Sequence, residues 1–273
     1  YISINGGSLM NLRKDENPYI TVMNFSDIYK KENFYKSECI NWRDCSNILG
    51  TNCYCNPNAE IRIKEEIADL EPSGIHFIDS GNYHYVSQFW MEKIQENFNL
   101  VVFDYHSDMQ KPALGNILSC GSWVINSLET NRYLKNVILI GLGKKEKQLI
   151  DSQYKENVIC IDKDSAYMWD DNKYKFENNP IYISIDKDVL SEKVVDTNWN
   201  QGEMNLNELE TILHNIIIRE NVIGIDICGE CSYTLDKLNS IKSNDIANSE
   251  LLRFLKREKN KKEEGIYLDR DIV

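Results

Sequence analysis

The chain has 273 residues, 42% hydrophobic and 27% charged, the balance of a soluble globular protein with length for one large α/β domain. Its formal net charge of -12 argues against nucleic acid or an anionic membrane surface as a partner and leans toward a cationic ligand. No apolar run approaches a membrane span and no charged-then-apolar leader is visible, so a cytoplasmic protein is expected.

In chain order, Tyr19–Phe25 reads as the first strand. The segment holding Cys39, Cys45, Cys53 and Cys55 has no paired C-x-x-C, so reduced thiols are expected there rather than a zinc site or a disulfide framework. Asn56-Pro57 ahead of Glu60–Leu70 has the form of an N-cap with Pro at the first helical position. Ile75–Ile78, Leu100–Phe103, Val137–Leu142, Val158–Ile161, Ile181–Ile185 and Val222–Ile227 are rich in Val and Ile without clean alternation, as strands covered on both faces are. Helices are predicted between them at Val86–Glu96, Ser122–Glu129, Lys144–Ser152 and Leu206–Glu220, the last with one apolar stripe of Leu206, Leu209, Ile212, Leu213, Ile216 and Ile217. A final helix over Ala247–Lys259 runs into the basic stretch Lys256–Lys262, read as a solvated, frayed end. Alternating strands and helices predict a three-layer αβα fold with a mainly parallel central sheet, and nothing resembling a linker divides residues 1–273, so one domain is expected.

The chemistry concentrates where strands end. "LVVFDYHSDMQ" passes from a buried run into Asp104, His106 and Asp108, which in an extended chain point to one side. Burying such a row uncompensated costs several kcal/mol, so it reads either as a strand running out into a polar, solvated loop or as a metal site, since a pair of ions about 3.5–4 Å apart could span it. Ligand sites in these sheets lie beyond the carboxyl ends of the strands. Three further strands feed that edge: "DSGNYHY" brings His84, "DKDVL" brings Asp186 and Asp188, and "CGECS" brings Glu230. His76 and His214, inside a strand and on a helix, are assigned ordinary structural roles, and the C-x-x-C of Cys228 and Cys231 follows a strand rather than opening a helix, so no redox pair is expected.

Together "SGNYHY", "DYHSD", "SIDKD" and "GIDICGE" resemble the arginase/agmatinase (ureohydrolase) family in order and approximate spacing over about residues 75–230, with "TNWNQGEMNLNEL" similar to the stretch after the second acid pair. Residues 1–70 match nothing in it and their role is left open. The resemblance implies the arginase/deacetylase-like fold and a binuclear manganese site, two Mn²⁺ per chain. His84, Asp104, Asp108 and Asp186 would hold one ion and Asp104, His106, Asp186 and Asp188 the other, with Asp104 and Asp186 bridging. Four carboxylates and two imidazoles with no thiolate suit Mn²⁺ on their own chemistry.

The reaction it implies is hydrolysis of a small cationic guanidino compound to urea and an amine by a metal-bridging hydroxide, with L-arginine the first substrate and agmatine or another guanidino compound next. Asp108 would orient the hydroxide and protonate the leaving amine, and Glu230 would pair with the guanidinium. Gln110 and Lys111 stand where arginases grip the amino acid's carboxylate. Relatives often form trimers or hexamers, so the resemblance allows a homo-oligomer, while the sequence itself is silent on oligomeric state.

Departures mark a divergent branch. Cys120-Gly121 replaces the His-Gly of many arginases, so Cys120 is either an unusual acid/base or a small packing residue, the second being favoured. Ser191-Glu192 replaces Asp-Pro, "GNYH" replaces Gly-Gly-Asp-His, and Glu230 comes four residues after Asp226 where the family has three. Two alternatives follow: a single-zinc deacetylase-type amide hydrolase of the same fold, for which the usual His-His pair is missing, and a metal-binding homologue without catalysis.

Overall fold

The computed structural model describes residues 18–112, 115, 117–169 and 178–265. Its strands are β1 (Ile20–Asn24), β2 (Asn41–Asp44), β3 (Tyr54–Cys55), β4 (Ile75–Phe77), β5 (Phe98–Phe103), β6 (Leu118–Ser119), β7 (Leu134–Ile140), β8 (Val158–Ile161), β9 (Ile181–Asp186) and β10 (Val222–Cys228). Its helices are α1 (Pro57–Glu66), α2 (Val86–Met91), α3 (Trp123–Thr130), α4 (Glu146–Leu149), α5 (Lys163–Tyr167), α6 (Leu206–Ile217) and α7 (Leu238–Glu263).

Eight strands form one sheet in the order β2-β1-β4-β10-β9-β5-β7-β8, every pairing parallel. Successive side chains leave on opposite faces, which is why these strands lack an apolar-polar alternation. On one face Val101, Phe103, Ile183 and Ile185 pack with α5, α6 and α7; on the other Leu100, Val102 and Tyr182 pack with α1, α2 and α3. The result is the three-layer α/β fold expected. A separate short antiparallel pair, β3 with β6, joins the cysteine-rich segment to residues 118–121. Among the described residues no helix is long and apolar enough to cross a membrane.

Local chemistry explains the element ends. The Asn56 side chain accepts from the Ala59 amide with Pro57 in the first turn, as read. Asn205 and Glu208 form a reciprocal capping box at the start of α6. The helix expected at Glu60–Leu70 therefore starts at Pro57 and ends at Glu66, its remainder tightening into three-residue turns that bury Ile67 and Leu70. The helix expected to reach Glu96 ends at Met91 in the same way.

Three features escaped the sequence pattern. Strand β2 is an edge strand with a half-exposed polar sequence, and α5 is a five-residue turn capped by Asp162. Helix α7 begins at Leu238, nine residues before the expected start, because its first turns are Asn- and Ser-rich and carry little apolar signal. Its basic end is not frayed: Lys256 pairs with Glu38 at 2.5 Å, and Lys262 donates to the carbonyls of Ile217 and Glu220, tying α7 to the carboxyl end of α6.

His76 and His214 have the structural roles assigned to them. His214 Nδ1 lies 2.7 Å from Glu258 Oε2 on α7. His76 is enclosed in β4, its ring stacked on Trp90 at 3.7 Å and its Nδ1 3.2 Å from the Tyr182 hydroxyl. Burial pushes this imidazole down from 6.5 to about 3. A depressed folded-state pKa stabilises the fold above the unfolded value, and that stability drains away as pH falls toward 3. We expect His76 to contribute a loss of about 1.4 kcal/mol per pH unit below 6.5, measured by denaturant unfolding at stepped pH. A His76→Gln variant with an equally steep acid limb would show the assignment to be wrong.

Candidate metal centre

Strands β4, β10, β9 and β5 lie far apart in sequence and side by side in the sheet, and their carboxyl ends supply the site. From β5, the Asp104 Oδ1 accepts from the His106 amide at 2.6 Å, which bends the chain and sets His106 Nδ1 2.7 Å from Asp188 Oδ2. Asp108 stands at φ +50°, in the left-handed region that Asp tolerates better than most residues, and the turn aims its carboxylate back at the sheet edge. The Trp123 indole then holds it, Nε1 donating to Asp108 Oδ2 at 2.6 Å.

From β9, Asp186 Oδ1 accepts from the Asp188 amide at 2.9 Å and caps the short turn that follows, while Asp188 Oδ1 accepts from the Tyr105 amide at 2.9 Å. From β4, a single turn at Gly81–Tyr83 delivers His84. Gly81 is needed there: a Cβ would sit 2.7 Å from Asp186 Oδ2.

The protonation of His84 can be read from its neighbours. The Ser184 hydroxyl donates to Asp226 Oδ1 at 2.6 Å, so its oxygen is left to accept from His84 Nε2 at 2.8 Å. That chain orients the ring and turns Nδ1 inward, in the manner of histidines that bind metals. Nδ1 lies 3.0 Å from Asp108 Oδ2, 3.3 Å from Asp104 Oδ2 and 3.6 Å from Asp186 Oδ2. It is fully buried and, among the described residues, has no hydrogen-bond partner.

Among the described residues, ligand-type atoms converge within 4.8 Å in three overlapping groups: His84 with Asp104 and Asp108, His84 with Asp186 and Cys228, and Asp104 with His106 and Asp188. All six residues expected as ligands are thus gathered at one sheet edge. The electrostatics point the same way. Burial, then the Asp188 charge, pushes Asp186 up to about 6, and burial, then the Asp104 charge, pushes Asp188 up to about 7. Burial pulls His106 down, but Asp104 and Asp188 outweigh it and raise the imidazole to about 11. Crowded acids that hold protons this high are the setting a divalent cation relieves, and the inward Nδ1 of His84 fits one.

Beyond these residues a cleft of about 230 Å³ opens to solvent between Tyr54, Cys120 and Trp199, with Gln110 at its edge. The cysteine-rich segment therefore has a place in the structure: β3 walls the cleft, and Cys53 and Cys120 meet through their backbones at 2.9 Å. Cys120 is buried, and burial, then the Asp108 charge, pushes its thiol up, which favours packing over thiolate chemistry. Lys111 is exposed and pairs with Asp151 at 3.3 Å.

Glu230 does not join the site, contrary to expectation. It is fully buried and paired with Lys187, and it accepts from Asn244 Nδ2 at 2.9 Å and Asn248 Nδ2 at 2.8 Å on α7. The cleft is lined without it. Three residues after Asp226 stands Gly229 at φ +98°, whose Cβ would come within 2.5 Å of Asp186 Oδ1. The one-residue offset noted in the sequence thus sends the carboxylate into the α7 interface. Sequence reasoning also missed Cys228, Ser184 and Asp226. The two-residue spacing used for Asp104 and His106 would have found the last two of β10's inward positions, Asp226 and Cys228.

A model of the arginase family matches residues 31–249. An uncharacterized protein of Thermotoga maritima is 30% identical over 221 residues, 78% of this chain and 80% of the relative. Formimidoylglutamase from Bacillus subtilis has a similar structure, TM-score 0.64 at 14% identity over 94% of this chain and 96% of that one. Proclavaminate amidino hydrolase from Streptomyces clavuligerus follows at 0.60 and 13%, over 85% and 90%.

Proposed function

The chain belongs to the arginase family, and from that premise we propose that it is a binuclear manganese ureohydrolase acting on a small guanidino substrate. The observation that carries the reading is the buried Nδ1 of His84, turned inward by Ser184 and ringed by three carboxylates, with no hydrogen-bond partner among the described residues. His84, Asp104, Asp108 and Asp186 would hold one cation and Asp104, His106, Asp186 and Asp188 the other. When bound, such a pair supplies an activated water near neutral pH.

The protein's own residues do the rest. Asp108, fixed by Trp123, orients the nucleophile and carries its proton to the departing amine. With the four carboxylates committed to the cations, the Trp199 ring, 5.8 Å from that of His106, is the group that offers the guanidinium a flat wall in the cleft. Gln110 is the group at the cleft edge suited to the remainder of the substrate, L-arginine first and agmatine next. Cys120 closes the wall as a protonated thiol. Purified protein reconstituted with excess manganese and desalted is expected to retain two ions per chain by elemental analysis. One tightly held zinc would instead favour the deacetylase-type hydrolase, and no retained metal would overturn both.

A further inference from the structure

We propose that Cys228 is a metal ligand at the His84 position, so that this half of the centre presents nitrogen, oxygen and sulfur donors and favours a borderline cation such as Zn²⁺, Co²⁺ or Fe²⁺ over Mn²⁺. The inference rests on the metal centre proposed above and changes which ion one half of it selects.

Strand alternation sets the direction of the thiol. Ile225 and Ile227 pack into the core with α6 and α7, so Asp226 and Cys228 leave β10 on the opposite face, where His84 and Ser184 lie. Cys228 is fully buried there, its register partner in the sheet being Asp186. Its Sγ is 3.2 Å from Asp186 Oδ2, and that oxygen is 3.6 Å from His84 Nδ1. Donors that share one ion, at bond lengths of about 2.0–2.3 Å, lie no more than about 4.6 Å apart. All three ligand atoms lie within 4.8 Å of one another, grouped around one small space.

The second observation is independent of the thiol. His84 is 1% exposed and its Nδ1 has no hydrogen-bond partner among the described residues, yet it points at the same space. The thiol is turned toward that space as well, its Sγ donating to Asp186 Oδ2. On binding, the S–H bond breaks as the metal–sulfur bond forms, and one proton leaves to solvent. Sulfur shifts preference toward softer cations, whereas the His106 half keeps only nitrogen and oxygen donors, so the two halves differ in selectivity.

Cobalt(II) reports thiolate ligation directly. Wild-type protein titrated with Co²⁺ is expected to bind two ions by elemental analysis and to develop a strong sulfur-to-cobalt charge-transfer band in the near ultraviolet. In Cys228→Ser the weak visible cobalt bands persist and the near-ultraviolet band disappears. Because Cys53 and Cys120 wall the cleft, a band that survives in Cys228→Ser overturns the proposal. X-ray absorption at the cobalt edge of the wild type requires no variant: a sulfur at about 2.3 Å is expected. Bound cobalt with a shell of nitrogen and oxygen alone overturns Cys228 ligation and leaves the metal centre standing. Failure of the wild type to bind cobalt at all defeats the metal centre itself.

Discussion

Asp186→Asn protein is expected to lose its metal and its hydrolytic activity together while remaining folded. Asp186 is the proposed bridge between both ions, so its charge is lost to each. Removing a mere outer partner of a metal ligand costs about 10–100-fold in affinity, and loss of a bridging ligand exceeds that. The substitution keeps the shape of the site, because an amide oxygen still accepts from the Asp188 amide where Asp186 Oδ1 does now. The metal-free stability moves in the opposite direction. Burial, then Asp188, raises Asp186 to about 6, so the folded state holds its proton more tightly than the unfolded chain does. That contribution is present at low pH and is lost as pH rises through about 6, after which the buried charge opposes folding. At pH 8 the metal-free variant should therefore gain about 1–3 kcal/mol over the metal-free wild type, read from denaturant unfolding. A variant that keeps its metal and its activity removes Asp186 from the centre.

Lys187→Met is expected to be the most destabilising change at a residue that is not itself a metal ligand, by about 3–5 kcal/mol. Lys187 is fully buried against Glu230, with Asn248 Oδ1 accepting from Nζ at 2.9 Å. Asn248 also donates to Glu32, whose carboxyl is pushed well up by burial and then by the Glu230 charge. A protonated Glu32 leaves one lysine facing one carboxylate, a balanced pair that Met would unbalance. Glu230→Gln tests the same cluster from the other side. If Glu230 braces α7 and does not clamp substrate, KM changes by less than about threefold while stability falls. A rise in KM of about a hundredfold at unchanged stability would restore Glu230 to the substrate.

How far the sequence carried these conclusions depended on the range of each interaction. Asp104, His106 and Asp108, and likewise Asp186 and Asp188, are spaced two residues apart next to apolar runs, so both the strands and the edge they share were legible. The cap at Asn56 and the stripe of α6 were legible because each depends on residues within a few positions of one another. Glu230 was not: its partners Lys187, Asn244 and Asn248 come from β9's turn and α7, and a one-residue offset decides between cleft and interface. The early turns of α7 were missed for the same reason, since Asn244 and Asn248 are buried by their bonds to Glu230 and not by apolar character. Among the described residues strand β2 pairs with β1 alone, and no second neighbour imposes a buried pattern on it.

The most direct test is urea release by manganese-loaded protein offered arginine, agmatine, guanidinobutyrate and an arginine-containing peptide in parallel. Urea and an equal amount of the corresponding amine from at least one of them, and from none with Asp186→Asn, is the predicted result. No urea from any of the four by protein carrying two ions per chain would contradict a ureohydrolase and leave a metal-binding member of the family without this chemistry.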